Sequence, residues 1–60
     1  MKRNELLKIL RMNGCYQKRE GANHSLWISA ISGAMEAIPR HTEIPDLLAK
    51  KIIRNLTANK

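Results

Sequence analysis

Three side chains in this sequence belong to the types that most often carry out reactions: Cys15, His24 and His41. An imidazole accepts and donates protons near neutral pH, so a histidine can act as a general acid or a general base. His24 follows a short predicted turn, and His41 lies just beyond the third predicted strand. Both histidines therefore stand where predicted elements end.

His24 is the stronger candidate for a general base beside a phosphodiester, with Lys18, Arg19 or Arg40 as the nearby cation that holds phosphate. RNA carries its own nucleophile, the 2′-hydroxyl, so a ribonuclease needs neither a metal nor a covalent residue. The alternative is a histidine at a strand end that only bonds to a turn. The same two interpretations apply to His41.

Other kinds of catalytic site lack their usual spacing. The cysteine and the two histidines form no C-x2-C or H-x3-H pattern, so no metal site is predicted. The three glycines are scattered and form neither a dinucleotide-binding fingerprint nor a Walker motif, so no cofactor is predicted. Cys15 is most simply a small, half-buried thiol.

The charge balance points to an anionic partner. Eleven Lys and Arg against five Asp and Glu give a net charge of +6 on 60 residues. Nucleic acid is the first candidate, an acidic protein the second and a membrane surface the last. No apolar run approaches the roughly 20 residues of a membrane span. No signal peptide is recognisable either, so we expect a cytoplasmic protein without a membrane partner.

Hydrophobic periodicity and turn residues predict five elements in one domain covering residues 1–60. They are a helix at 4–12, strands at 15–20, 24–31 and 34–38, and a second helix beginning near Pro45. Gly14 is expected to end the first helix in a left-handed conformation. The α-β-β-β-α order predicts the α+β class, with a three-stranded antiparallel sheet and both helices on one face.

Alternation assigns the strand residues to two faces. In the first strand, one face receives Tyr16, Lys18 and Glu20, and the other receives Cys15, Gln17 and Arg19. In the second strand, one face receives Leu26, Ile28 and Ala30, and the other receives Ser25, Trp27 and Ser29. Trp27 is expected on the open face of the sheet, where we favour contact with a partner protein over stacking on a base.

The second helix has an apolar stripe and an opposite stripe made of Lys50, Lys51 and Arg54. Any amphipathic helix needs a charged outer face, but the uniform sign of this one favours contact with an anion such as RNA. Leu47 lies among these cations. It is expected to be the most exposed apolar residue of the helix and a candidate contact for a partner protein.

Several segments together resemble the HicA toxins of bacterial toxin–antitoxin pairs. They are residues 6–10, 13–14, 18–27 and 38–44, which follow one another in the right order and are spread over most of the chain. The combination carries more weight than any one segment. It joins a Gly-x-x-His turn, an aromatic residue three positions after the histidine, and the run Pro-Arg-His-Thr-Glu-Ile.

The resemblance implies a small fold like that of double-stranded-RNA-binding domains and a metal-independent endoribonuclease that cleaves mRNA and inhibits translation. It also implies inhibition by a cognate HicB-like antitoxin. The family's catalytic histidine falls on His24 and its turn glycine on Gly21. Many members have Gly-Ser-His at this turn, whereas here Asn23 takes the place of the serine as a hydrogen-bonding group.

Two other function classes remain open. A non-catalytic RNA-binding module would bind RNA in a salt-sensitive manner without cutting it and would be indifferent to His24. A basic, all-helical partner or DNA-binding protein would need helix where residues 15–38 have strand patterning.

Overall fold

The computed structural model describes residues 1–57 and contains the five predicted elements in the predicted order. They are α1 (Arg3–Met12), β1 (Cys15–Glu20), β2 (His24–Ser29), β3 (Met35–Pro39) and α2 (Asp46–Thr57). The α-β-β-β-α prediction is confirmed. The last three residues of the predicted 1–60 domain lie outside the described residues.

The three strands form one antiparallel sheet in the order β1-β2-β3, so each strand pairs with its neighbour along the chain. β2 ends at Ser29, two residues earlier than predicted, because the chain turns there. The Ser29 carbonyl accepts from the Gly33 N–H at 2.9 Å, and Gly33 has a φ of +80°. β3 includes Pro39, which the outer position of an edge strand allows because no ladder donor is required there.

Both helices pack on the same side of the sheet, which we call the covered face. α1 contributes Leu6 and Leu10 and α2 contributes Ile52 and Leu56, all with no measurable exposure. From the sheet, Cys15, Trp27 and Ile38 complete this core. Fully burying a Leu or Ile side chain is worth roughly 1.5–3 kcal/mol, so these residues supply most of the driving force for folding.

The predicted position of Trp27 on the open face is wrong. Its side chain is only 3 % exposed and belongs to the core under the helices, and the flanking Ser25 and Ser29 are buried on the same side. Because the two serines are small, the helices can approach the sheet on both sides of the indole, which packs in the core. Leu26 and Ile28 are half-buried on the opposite side, which we call the open face. Trp27 is therefore no surface for a partner protein.

The strict alternation predicted for β1 is also wrong. Gln17 lies opposite Trp27, whereas Arg19 lies opposite Leu26, so Lys18 is an extra residue in a β-bulge. Beyond the bulge the two faces exchange. Glu20 lies on the covered face opposite Ser25, and Arg19 lies on the open face.

The helix ends and the outer face of α2 follow the predictions. Gly14 adopts a φ of +81° directly after α1, a conformation that favours glycine. Lys50, Lys51 and Arg54 are exposed, and Leu47 is 82 % exposed. Neither helix in residues 1–57 is long and apolar enough to cross a membrane.

Candidate active site

The two histidines meet in one open depression of about 530 Å³, lined by Ala22, Asn23, His24, Arg40, His41 and Thr42. The sheet explains this meeting. His24 begins β2 and pairs with Pro39, which ends the antiparallel β3, so the residues after Pro39 continue beside His24. Seventeen positions separate the histidines in the sequence, yet the structure brings both to the same surface.

The turn before His24 depends on a close backbone approach. The Gly21 N–H donates to the His24 carbonyl oxygen at 2.8 Å. A Cβ atom at Gly21 would lie 2.8 Å from that same oxygen, closer than real Cβ atoms come to backbone. Glycine is thus required here by space. Asn23 contributes its carbonyl oxygen, which accepts from the Arg40 N–H at 3.3 Å and joins the turn to the end of β3.

Arg40 is held on one side and faces the depression on the other. Its Nη1 donates to the Gly21 carbonyl at 3.0 Å and forms an ion pair with the Glu20 carboxylate. A guanidinium has five N–H donors, and these contacts use one nitrogen. The side chain is 46 % exposed, so Arg40 can present donors to an oxyanion in the depression while its own position is fixed.

A polar network around the buried Ser25 hydroxyl supports this end of the sheet. Arg3 donates from Nη2 to the Ser25 hydroxyl at 2.9 Å and from Nε to the Pro39 carbonyl at 2.9 Å. The Ser25 hydroxyl donates to the Glu20 carboxylate at 3.2 Å. Ser25 is fully buried directly after His24, so the network connects α1 with all three strands next to the candidate base.

A second depression of about 220 Å³ adjoins the first, because Arg40 and Thr42 line both. Lys2, Arg3 and Asn4 at the start of α1 form its other wall. The Lys2 ammonium lies 3.3 Å from the Glu43 carboxylate, an exposed pair that leaves the lysine available to other anions. The combined surface is cationic on the side of α1.

Other predicted site residues lie elsewhere. Neither of these two depressions in residues 1–57 is lined by the predicted RNA contacts of β1 and α2, which are Lys18, Arg19, Lys50, Lys51 and Arg54. These five side chains are all exposed. Trp27 is in the core, and Leu47 is on the surface of α2.

Sequence reasoning missed the roles of Arg3, Glu20 and Ser25. No motif marks them, and strict alternation in β1 predicts the wrong face for Glu20 because it omits the bulge. The meeting of the two histidines did have a signal in the sequence. An antiparallel meander places the start of its second strand beside the end of its third, where His41 follows.

Three groups with shifted pKa values, the Met1 amine, Cys15 and Asp46, lie away from the depression. Burial raises the pKa of the Cys15 thiol, and its Sγ donates to the Leu56 carbonyl at 3.5 Å in the core. The Met1 ammonium donates to the Asp46 carboxylate at 2.8 Å. This contact raises the pKa of the amine and lowers the pKa of Asp46. No group of three or more His, Cys, Asp or Glu side chains within residues 1–57 is arranged to hold a metal ion.

Comparison of the chain with protein-family models, with curated proteins and with solved structures finds no match.

Proposed function

We propose that the depression at the end of the sheet cleaves RNA, and that this protein is a metal-independent endoribonuclease. The observation that carries the proposal is that His24, His41 and Arg40 line one solvent-open surface. Two imidazoles and a guanidinium are the groups needed to move protons and hold a phosphate during phosphodiester cleavage. RNA supplies the nucleophile, so no further reactive side chain is needed.

Within this proposal the three side chains have different roles. His24, fixed by the turn and the first pair of β2, removes the proton from a 2′-hydroxyl or from water. His41, on the other side of Arg40 in the chain, gives a proton to the leaving oxygen. Arg40 holds the phosphate and stabilises the charge that grows on its oxygens. Because Arg40 is already anchored to Glu20 and Gly21, this stabilisation requires little reorganisation.

The resemblance to HicA toxins supports a biological role. On that basis the substrate is mRNA in the cytoplasm, the effect is inhibition of translation, and a HicB-like antitoxin is the partner that suppresses it. The exposed Leu47 is available to such a partner.

The alternative is a non-catalytic RNA-binding module. The exposed cations of α2, Lys50, Lys51 and Arg54, favour it because they lie outside both depressions and have no part in the proposed chemistry. Such a stripe can bind phosphates without any contribution from a histidine.

A gel of end-labelled mRNA separates the two functions. Wild-type protein is incubated with the RNA in the presence and absence of EDTA, beside His24→Ala and His41→Ala. We expect chelator-resistant cleavage by the wild type, and a reduction of about 100-fold or more in both variants, since one general acid or base contributes 10²–10⁴-fold. RNA that is retarded in the gel but never cut by the wild type would favour the binding module.

A further inference from the structure

The open face of the sheet leads from the candidate site across a surface with a particular composition. The strand register gives the residues that lie side by side across the strands on this face, and we call each such set a row. The rows are His24–Pro39, then Arg19–Leu26–Ala37, then Tyr16–Ile28–Met35. In this part of the described chain, the rows contain apolar groups, one arginine, one tyrosine and one histidine, but no carboxylate.

The β-bulge at Lys18 creates this composition. Strict alternation would place Glu20 on the open face and Arg19 under the helices. Because the bulge adds one residue, the carboxylate of Glu20 turns to the covered face, where Ser25 and Arg40 bind it. The guanidinium of Arg19 turns to the open face, one row from His24. Bulges of this kind commonly redirect side chains next to active sites.

Tyr16 gives the same face an exposed aromatic ring. It is 53 % exposed, whereas Trp27, the other large aromatic residue of the chain, is buried. Half-buried Ile28 lies opposite Tyr16, and exposed Met35 lies beyond Ile28 in the same row. Four strand positions separate the His24 and Ile28 rows, or roughly 13 Å at ~3.3 Å per residue. That span accommodates a few extended nucleotides.

We propose that the open face is a platform for single-stranded RNA that runs from the His24 depression, with a base stacked on Tyr16 and a phosphate held by Arg19. The proposal rests on the proposed function for its choice of RNA and deepens it by naming the substrate class. Bases of a single strand can stack on exposed side chains, whereas a duplex keeps them inside. The rows carry the Arg19 guanidinium and no carboxylate, which suits a phosphate, and they are continuous with the site.

The test measures binding separately from cleavage. A fluorescent single-stranded oligonucleotide of about eight nucleotides, with 2′-O-methyl groups that remove the free 2′-hydroxyl, is titrated into protein carrying His24→Ala. Tyr16→Ala, Tyr16→Phe and Arg19→Gln are compared in this background. Lys8→Gln, which removes an exposed charge from α1 on the covered side, is the charge-matched control.

We expect Tyr16→Ala to weaken binding about 5- to 100-fold and Tyr16→Phe to leave it nearly unchanged, because the ring is what stacks. Arg19→Gln should weaken binding and reduce the slope of log affinity against log salt by about 0.7, as one lost phosphate contact requires. Lys8→Gln should do neither. An RNA duplex of about 16 base pairs should bind equally well before and after Tyr16→Ala.

Binding that is unchanged by both Tyr16→Ala and Arg19→Gln, with folding verified by circular dichroism, would overturn the platform. So would a wild-type dimer in sedimentation velocity that Tyr16→Ala dissociates, because the face would then be a protein contact. Failure of the proposed function has a different signature. His24→Ala would cleave ordinary RNA at the wild-type rate while the binding results stand unchanged.

Discussion

The two faces of the sheet are built from the same strands but differ in burial and in the charged groups that they carry. On the covered face, Trp27 and Ile38 are buried against the helices, and the charged Arg3 and Glu20 are joined through the Ser25 hydroxyl. On the open face, His24 and Arg19 are exposed. Because Lys18 is an extra residue in β1, the Glu20 carboxylate lies on the covered face and the Arg19 guanidinium lies on the open face.

Replacement of Trp27 tests the covered face most severely. Trp27→Ala should lower the free energy of unfolding by about 3–5 kcal/mol, because a large buried side chain leaves a cavity. Leu26→Ala on the open face should cost roughly 1 kcal/mol. Urea unfolding followed by circular dichroism gives both values. If Trp27→Ala does not fold, Trp27→Phe keeps most of the packing and should cost less than about 1.5 kcal/mol. Equal costs for Trp27→Ala and Leu26→Ala would contradict the assignment of the faces.

The Arg3–Ser25–Glu20 network gives the next largest effect. Ser25→Ala should cost about 1–3 kcal/mol, because the buried hydroxyl's hydrogen bonds to two charged groups, Arg3 Nη2 and a Glu20 oxygen, are lost. Ser32→Ala, an exposed serine in the β2–β3 turn, should stay within about 0.5 kcal/mol of the wild type. Thermal unfolding of the wild type, Ser25→Ala and Ser32→Ala measures these differences in stability. A Ser25→Ala variant as stable as Ser32→Ala would show that the network adds nothing.

Alanine substitutions at Gly21 and Gly33 compare the turn next to His24 with the turn at the opposite end of β2. Gly21→Ala places a Cβ against the His24 carbonyl, so the turn must shift, and a misplacement of ~1 Å can reduce catalysis about 100-fold. Gly33→Ala has open space but a positive φ, so it should cost about 1–2 kcal/mol of stability with little loss of cleavage by the folded protein. RNA cleavage rates normalised to the folded fraction distinguish them. Equal losses of rate would contradict a special role for the turn at Gly21.

The ion pair between the Met1 ammonium and Asp46 predicts the smallest effect, a weak pH dependence of stability. The amine pKa is raised above 8.0, so its contribution is complete below that pH and is lost as the pH rises through the raised value. The Asp46 pKa is lowered below 3.8, so its contribution is lost as the pH falls through the lowered value. Asp46→Asn should flatten both ends of a profile of melting temperature against pH. A profile unchanged by this substitution would rule out the contribution.

The sequence was sufficient for the element order, the sheet topology and the exposed cations of α2, because hydrophobic periodicity and turn residues act locally. It was insufficient for the faces of β1 and β2. A bulge leaves no mark in the pattern of Lys18, Arg19 and Glu20, and Trp27 between two serines looks like an exposed residue until the helices are placed over it. The sequence identifies His24 as a candidate, whereas the Arg3–Ser25 hydrogen bond behind it is a tertiary contact that no local pattern shows.

The role of His24 is tested most directly by the initial rate of mRNA cleavage by purified wild-type protein and His24→Ala in EDTA, with circular dichroism to show that both are folded. We expect chelator-resistant cleavage by the wild type and a fall of about 100-fold or more on loss of the imidazole. Cleavage by folded His24→Ala at the wild-type rate would contradict this role.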